Sequence, residues 1–192
     1  MSGPVAILIG PPGAGKSTVG PLLAEALGVP FLETDQVVAE MAGKPVGDIF
    51  VSDGEPAFRA MESTAVAEAV AGHPGVLALG GGAVMDAGAQ RLLAGHHVVY
   101  LETGFATAVH RTGLDTPRPL LLGNPRARMR ELLARRLPVY ESLAWITTST
   151  DDREPQDIAD DIAATIAGRM AAESGEGVGA GEGPQGSPAE RP

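Results

Sequence analysis

Short runs of apolar, mostly β-branched residues alternate along the chain with longer stretches in which apolar positions recur every three or four residues. The first pattern is that of a strand buried on both faces, the second that of a helix lying against a sheet. Strands are predicted over 5–9, 30–33, 76–79, 97–101 and 144–147. Helices are predicted over 16–27, 36–42, 45–51, 56–71, 87–93, 104–112, 125–141 and 155–170. In the last of these Ile158, Ile162, Ala163 and Ile166 share one face, and Pro155 suits a first turn, where a missing N–H is harmless. Strands and helices in this order make a parallel sheet covered by helices, so the fold class is α/β.

The periodicity stops near residue 170. Residues 171–192 contain six Gly and three Pro with almost nothing to bury, the composition of a disordered tail. The folded domain is therefore expected over 1–170. A chain of 192 residues with 44% hydrophobic content suits one compact domain with a single core. The apolar runs are too short to cross a bilayer, and the N-terminus lacks the basic start and long apolar stretch of a secretory signal, so a cytoplasmic protein is expected.

The 24 acidic residues outnumber the 14 Lys and Arg, for a formal charge of −10. That balance disfavours nucleic acid and membrane surfaces as partners and leaves a small anion in a local basic pocket. The chain has no cysteine, which excludes disulfides, thiolate metal sites and a cysteine nucleophile. Lys16 and Lys44 are the only lysines, so lysine chemistry falls on one of two residues.

One of them ends a phosphate-binding pattern. Gly10-Pro11-Pro12-Gly13-Ala14-Gly15-Lys16-Ser17-Thr18 sits between the first strand and the first helix, as a Walker A loop does. Its glycines let the chain bend until consecutive N–H groups of Gly13, Ala14, Gly15, Lys16, Ser17 and Thr18 face a phosphate. The helix that follows adds its positive end. Lys16 would reach the β and γ phosphates of ATP, and the Ser17 hydroxyl would ligate Mg2+. The glycine order differs from G-x-G-x-x-G, so a dinucleotide site is not expected.

Other candidates surround this loop. Glu33 and Asp35 lie at the carboxyl end of the second strand, where open α/β sheets gather ligands. Alternation puts both on one side, one to act on magnesium and the other to orient an acceptor hydroxyl, unless Asp35 simply caps the next helix. Gly80-Gly81-Gly82, after the third strand, either admits close approach of a second small molecule or is an ordinary turn. Arg59 precedes Glu62 by three residues on a helix, a spacing that either fixes the guanidinium or makes a solvated surface pair. Arg118, between two prolines and within a Gly-bounded segment, is placed as a lid arginine would be. Arg135 and Arg136 lie late on a long helix, where cations also favour the dipole.

In order and spacing, Gly10 to Thr18, Glu33-Thr34-Asp35, Phe58-Arg59-Ala60-Met61-Glu62, Gly80-Gly81-Gly82, Arg118-Pro119-Leu120-Leu121 and Arg136 through Tyr140 resemble shikimate kinase. The resemblance covers about residues 5–170. It implies a P-loop NTPase fold of the nucleoside-monophosphate-kinase type: a five-stranded parallel sheet flanked by helices, a substrate-binding part at about 33–62 and a lid at about 112–124. It also implies transfer of phosphate from ATP to the 3-hydroxyl of shikimate, in aromatic amino acid biosynthesis, by a magnesium-dependent enzyme expected to be a monomer.

By the same resemblance Asp35 is the base or orienting carboxylate, and Arg59 and Arg136 clamp the shikimate carboxylate, with Glu62 beside Arg59. Gly80, Gly81 and Gly82 contact the ring substituents, and Phe50 and Phe58 pack near the ring. Arg118 bridges both substrates, while Arg111 and the segment reaching Pro155 flank adenine. Glu33 stands where relatives commonly carry aspartate, so its contact with magnesium is either direct or through water. Competing readings are another P-loop small-molecule kinase, such as one for gluconate, and a catalytically silent nucleotide-binding module. Two arginines suited to a carboxylate acceptor argue against the first.

Overall fold

A computed structural model describes residues 3–113 and 125–175 of the chain. Arg118, most of the expected lid segment and residues 176–192 of the expected tail lie outside the described residues.

Five parallel strands, β1 (Ala6–Ile9), β2 (Phe31–Glu33), β3 (Val76–Ala78), β4 (Val98–Glu102) and β5 (Ile146–Ser149), form one sheet in the order β2-β3-β1-β4-β5. The helices among the described residues are α1 (Lys16–Leu27), α2 (Thr34–Ala42), α3 (Val46–Ser52), α4 (Gly54–Gly72), α5 (Ala87–Leu93), α6 (Phe105–Arg111), α7 (Pro125–Leu143) and α8 (Pro155–Gly175). None is long and apolar enough to cross a membrane.

The central strand shows why a continuous apolar run is needed. Ala6 and Leu8 join the core beneath α1 and α8, together with Leu23, Ile158 and Ile162. Ile7 and Ile9 point the other way, into a second layer with Val66 of α4, Leu93 of α5 and Tyr140 of α7. Period-two alternation thus fills both faces of the sheet, each buried aliphatic side chain contributing about 1.5–3 kcal/mol. A satellite core of Val38, Ile49, Phe58 and Ala65 ties α2 and α3 to α4. Beside it Lys44 pairs with Asp53 at 2.5 Å, so the second lysine is spent on holding α3.

The chain winds to one side of β1 for β2 and β3, and to the other for β4 and β5. The carboxyl end of β1 is therefore the switch point of the sheet, the crevice in which α/β proteins bind ligands.

Most predicted boundaries shift by a residue or two, and three of the shifts have a plain cause or a consequence for the site. β5 begins two residues later than expected, because the Ala144 N–H still bonds the Tyr140 carbonyl in the last turn of α7 and the Trp145 N–H is the first to reach β4, at Val98. α8 runs to Gly175, five residues past the expected end, since Ala171, Ala172 and Glu173 extend a helix as well as they extend a tail. α2 begins at Thr34, so Asp35 lies in its first turn and not on an extended strand.

Candidate active site

The phosphate loop has the geometry its glycines allow. Gly10, Gly13 and Gly15 have φ of 148°, 82° and 90°, a region that side chains disfavour. A Cβ on Gly10 would stand 2.5 Å from the Leu101 carbonyl oxygen. Lys16 opens α1 and folds back, its Nζ donating to the carbonyls of Gly10 at 2.8 Å and Pro11 at 3.1 Å. Burial pulls its pKa down to about 8, against the opposing pull of Asp35 and Glu33. The next residue, Ser17, donates its hydroxyl to Glu33 Oε1 at 2.6 Å.

Asp35 is not a helix cap. The cap position of α2 is Glu33, whose side chain makes no capping bond. The alternation expected to align Glu33 with Asp35 does not operate across the strand-to-helix junction, yet both carboxylates act on the same Lys16 ammonium. Asp35 Oδ1 is buried without a hydrogen-bond partner among the described residues. Burial first, and then Glu33, raise the pKa of this carboxyl, while Lys16 and Arg59 oppose them.

The triple glycine explains how so many charged groups meet. A Cβ on Gly80 would overlap Asp35 Oδ1 and stand 2.8 Å from Glu62 Oε1. One on Gly82 would be 2.6 Å from Arg59 Nη1, and one on Gly81 would be 3.3 Å from Arg136 Nη1. The absence of three side chains is therefore what lets α2, α4 and α7 bring two carboxylates and two guanidiniums to one turn. Arg59 Nη1 pairs with Glu62 Oε2 at 2.5 Å, and its Nη2 with Glu55 Oε1 at 3.2 Å. The Glu62 side chain is 5% exposed, so the Arg59–Glu62 pair is no solvated surface pair. Burial raises the Glu62 pKa, and the hydrogen bond and charge of Arg59 oppose it.

Arg59, Glu62, Gly82, Arg135 and Arg136 line one cavity of about 410 Å³. Phe58 is buried and stacks at 4.4 Å on the more exposed Phe50, with the Arg59 guanidinium 5.2 Å from the Phe58 ring.

On the other side of the phosphate loop, Arg111 and Arg153 line an open cleft of about 660 Å³ just ahead of Pro155, the first residue of α8. Arg111 bonds the Gly13 carbonyl at 3.2 Å, the Thr150 hydroxyl at 3.0 Å and the Thr150 carbonyl at 2.8 Å, which ties the cleft to the phosphate loop. Arg153 pairs with Asp161.

Two contacts in the site have no sequence signature. The Thr34 hydroxyl, fully buried, accepts the Gly80 N–H at 3.1 Å, and the Tyr140 hydroxyl donates to the Gly81 carbonyl at 2.6 Å. Only the position of Thr34 between Glu33 and Asp35 hinted at the first.

A family model described as "Shikimate kinase" matches residues 12–167. The chain belongs to the shikimate kinase family. A shikimate kinase of Thermobifida fusca is 60% identical over 162 residues, 84% of this chain and 94% of that protein. One from Saccharopolyspora erythraea is 52% identical over 170 residues, 88% of this chain and 97% of its own length. The structure of the shikimate kinase of Acinetobacter baumannii in complex with shikimate superposes with a TM-score of 0.79 at 37% identity, covering 88% of this chain and 95% of that one. The five-stranded parallel sheet expected from the shikimate kinase resemblance is the sheet observed.

Proposed function

We propose that this member of the shikimate kinase family transfers the γ-phosphoryl group of ATP to the 3-hydroxyl of shikimate, giving shikimate 3-phosphate and ADP. The observation that carries this reading is the convergence, on the turn after β3, of Arg59 and Arg136 with Asp35, whose Oδ1 is buried and has no hydrogen-bond partner among the described residues. Two guanidiniums suit the carboxylate of the acceptor. That Asp35 oxygen would accept the hydrogen bond of its reacting hydroxyl. Lys16 would exchange the Gly10 and Pro11 carbonyls for the β and γ phosphate oxygens, countering charge as it shifts toward the leaving group. Alignment and charge neutralisation account for most of what such a transfer asks of a protein.

Ser17 and Glu33 fit a magnesium ion. A hydroxyl and a carboxylate oxygen 2.6 Å apart beside the phosphate loop are hard ligands of the kind this ion takes, with phosphate and water filling the other positions. When bound, magnesium would neutralise charge on the phosphate oxygens. Arg111 and the segment reaching Pro155 would flank the adenine, and Phe50 and Phe58 would form the apolar wall beside the acceptor ring.

The test is a coupled ADP-release assay with purified protein, ATP, magnesium and a panel of polyol acids that includes shikimate and gluconate. Turnover with shikimate above all others is expected. No turnover with shikimate alongside turnover of another acceptor would overturn the reading.

A further inference from the structure

Gly81 is the middle residue of the turn after β3, and its carbonyl oxygen is held by α7 through the 2.6 Å hydrogen bond from Tyr140. Tyr140 is 1% exposed, and its ring stacks on Tyr100 with centroids 5.2 Å apart, so the hydroxyl is anchored from behind. Burial pushes the phenol pKa up, which keeps the proton on the oxygen and the donor role intact. Arg136, one turn earlier on the same helix, approaches the same turn, and its Nη1 would lie 3.3 Å from a Cβ on Gly81. The Tyr140 hydroxyl and the Arg136 guanidinium, both carried by α7, thus meet at the Gly81 turn.

Packing alone does not require this oxygen, because a phenylalanine would fill the same space. Pro138, between Arg136 and Tyr140, has no N–H to give the Ala134 carbonyl, which loosens the helix where the pair sits. A tie from side chain to turn restores a fixed relation there.

We propose that Tyr140 is a positioning residue for the phosphoryl acceptor: its hydroxyl ties the Gly81 turn to α7, the helix that carries Arg136, so that turn and guanidinium meet the acceptor already in place. The proposal rests on the reading of the cavity lined by Arg59, Gly82 and Arg136, beside this turn, as the shikimate site. Groups arranged in advance need no ordering when the ligand arrives, so the gain falls on acceptor binding and alignment and not on ATP.

Tyr140→Phe tests it in the full chain, with wild-type turnover of shikimate measured first, so that failure of the functional reading is seen separately. The KM for shikimate is expected to rise about threefold to tenfold, the worth of one buried hydrogen bond, with the KM for ATP within about twofold of wild type. In an Arg136→Ala background, where shikimate binding is followed by calorimetry, the same change is expected to add little, because the tie then has no guanidinium to set against the turn. An unchanged KM for shikimate, an equal rise in both KM values, or full additivity of the two substitutions would overturn the proposal.

Should Tyr140→Phe fail to fold, 3-fluorotyrosine provides a second readout, since the chain has only two tyrosines and Tyr100→Phe leaves one signal. That fluorine resonance is expected to shift on adding shikimate and to stay in place on adding a non-hydrolysable ATP analogue. No shift with shikimate would also overturn the proposal.

Discussion

Asp35 Oδ1 and Glu62 Oε1 approach the same point in space, the one that a side chain on Gly80 would fill. Two carboxylates so close together, each with its pKa raised by burial, are tolerable only because Arg59 and Lys16 lie within reach of them. Gly80→Ala is expected to displace Asp35 and to lower kcat by at least about tenfold, since small misplacements of aligned groups cost that much. ATP affinity should be little changed. Steady-state kinetics with both substrates checks this.

Glu62 holds Arg59 from inside the fold. Glu62→Ala leaves the guanidinium with Glu55 alone and is expected to weaken acceptor binding by about 1.5–3 kcal/mol, the range of a charge-assisted hydrogen bond. The KM for shikimate should rise while that for ATP stays put. An equal effect on both would show a general loss of the α4 region instead.

Lys16 carries two separate predictions. Lys16→Ala should raise the barrier by about 2–4 kcal/mol, as loss of one preorganised charge does. With a pKa of about 8 in the free protein, the ammonium is half deprotonated at that pH, and phosphate binding favours the charged form. ATP binding should therefore take up a proton from about pH 8 upward, and ATP affinity should fall with rising pH across that same range. Calorimetry in buffers of different ionisation enthalpy measures that uptake, and Lys16→Met should abolish it.

Asp35 must be ionised to receive a proton or orient a hydroxyl. Its pKa is raised, so activity should climb with pH through a limb lying above the ordinary carboxylate range. Asp35→Asn should retain nucleotide binding and lose transfer. A pH profile of kcat/KM, together with nucleotide titration of the variant, decides this.

Much of this architecture was legible because its signals are local. The phosphate loop is nine consecutive residues, and the inner strands β1, β3 and β4 are apolar runs buried on both faces. Asp35 was read as an extension of β2 because alternation says nothing of where a strand ends; the helix starting at Thr34 decides it. The ties from Thr34 to Gly80 and from Tyr140 to Gly81 span 46 and 59 residues, and no spacing rule reaches so far. Arg59 and Glu62 were legible as a pair through their helical spacing, but the burial that gives the pair its strength comes from the turn after β3.

The scarcity of lysine has a practical side. Lys44 is engaged with Asp53 and Lys16 is folded into the phosphate loop, so amine-directed reagents meet few targets in this chain. Acylation that a bound nucleotide blocks would therefore report on one position, which makes mass spectrometry of the intact protein a direct gauge of nucleotide occupancy.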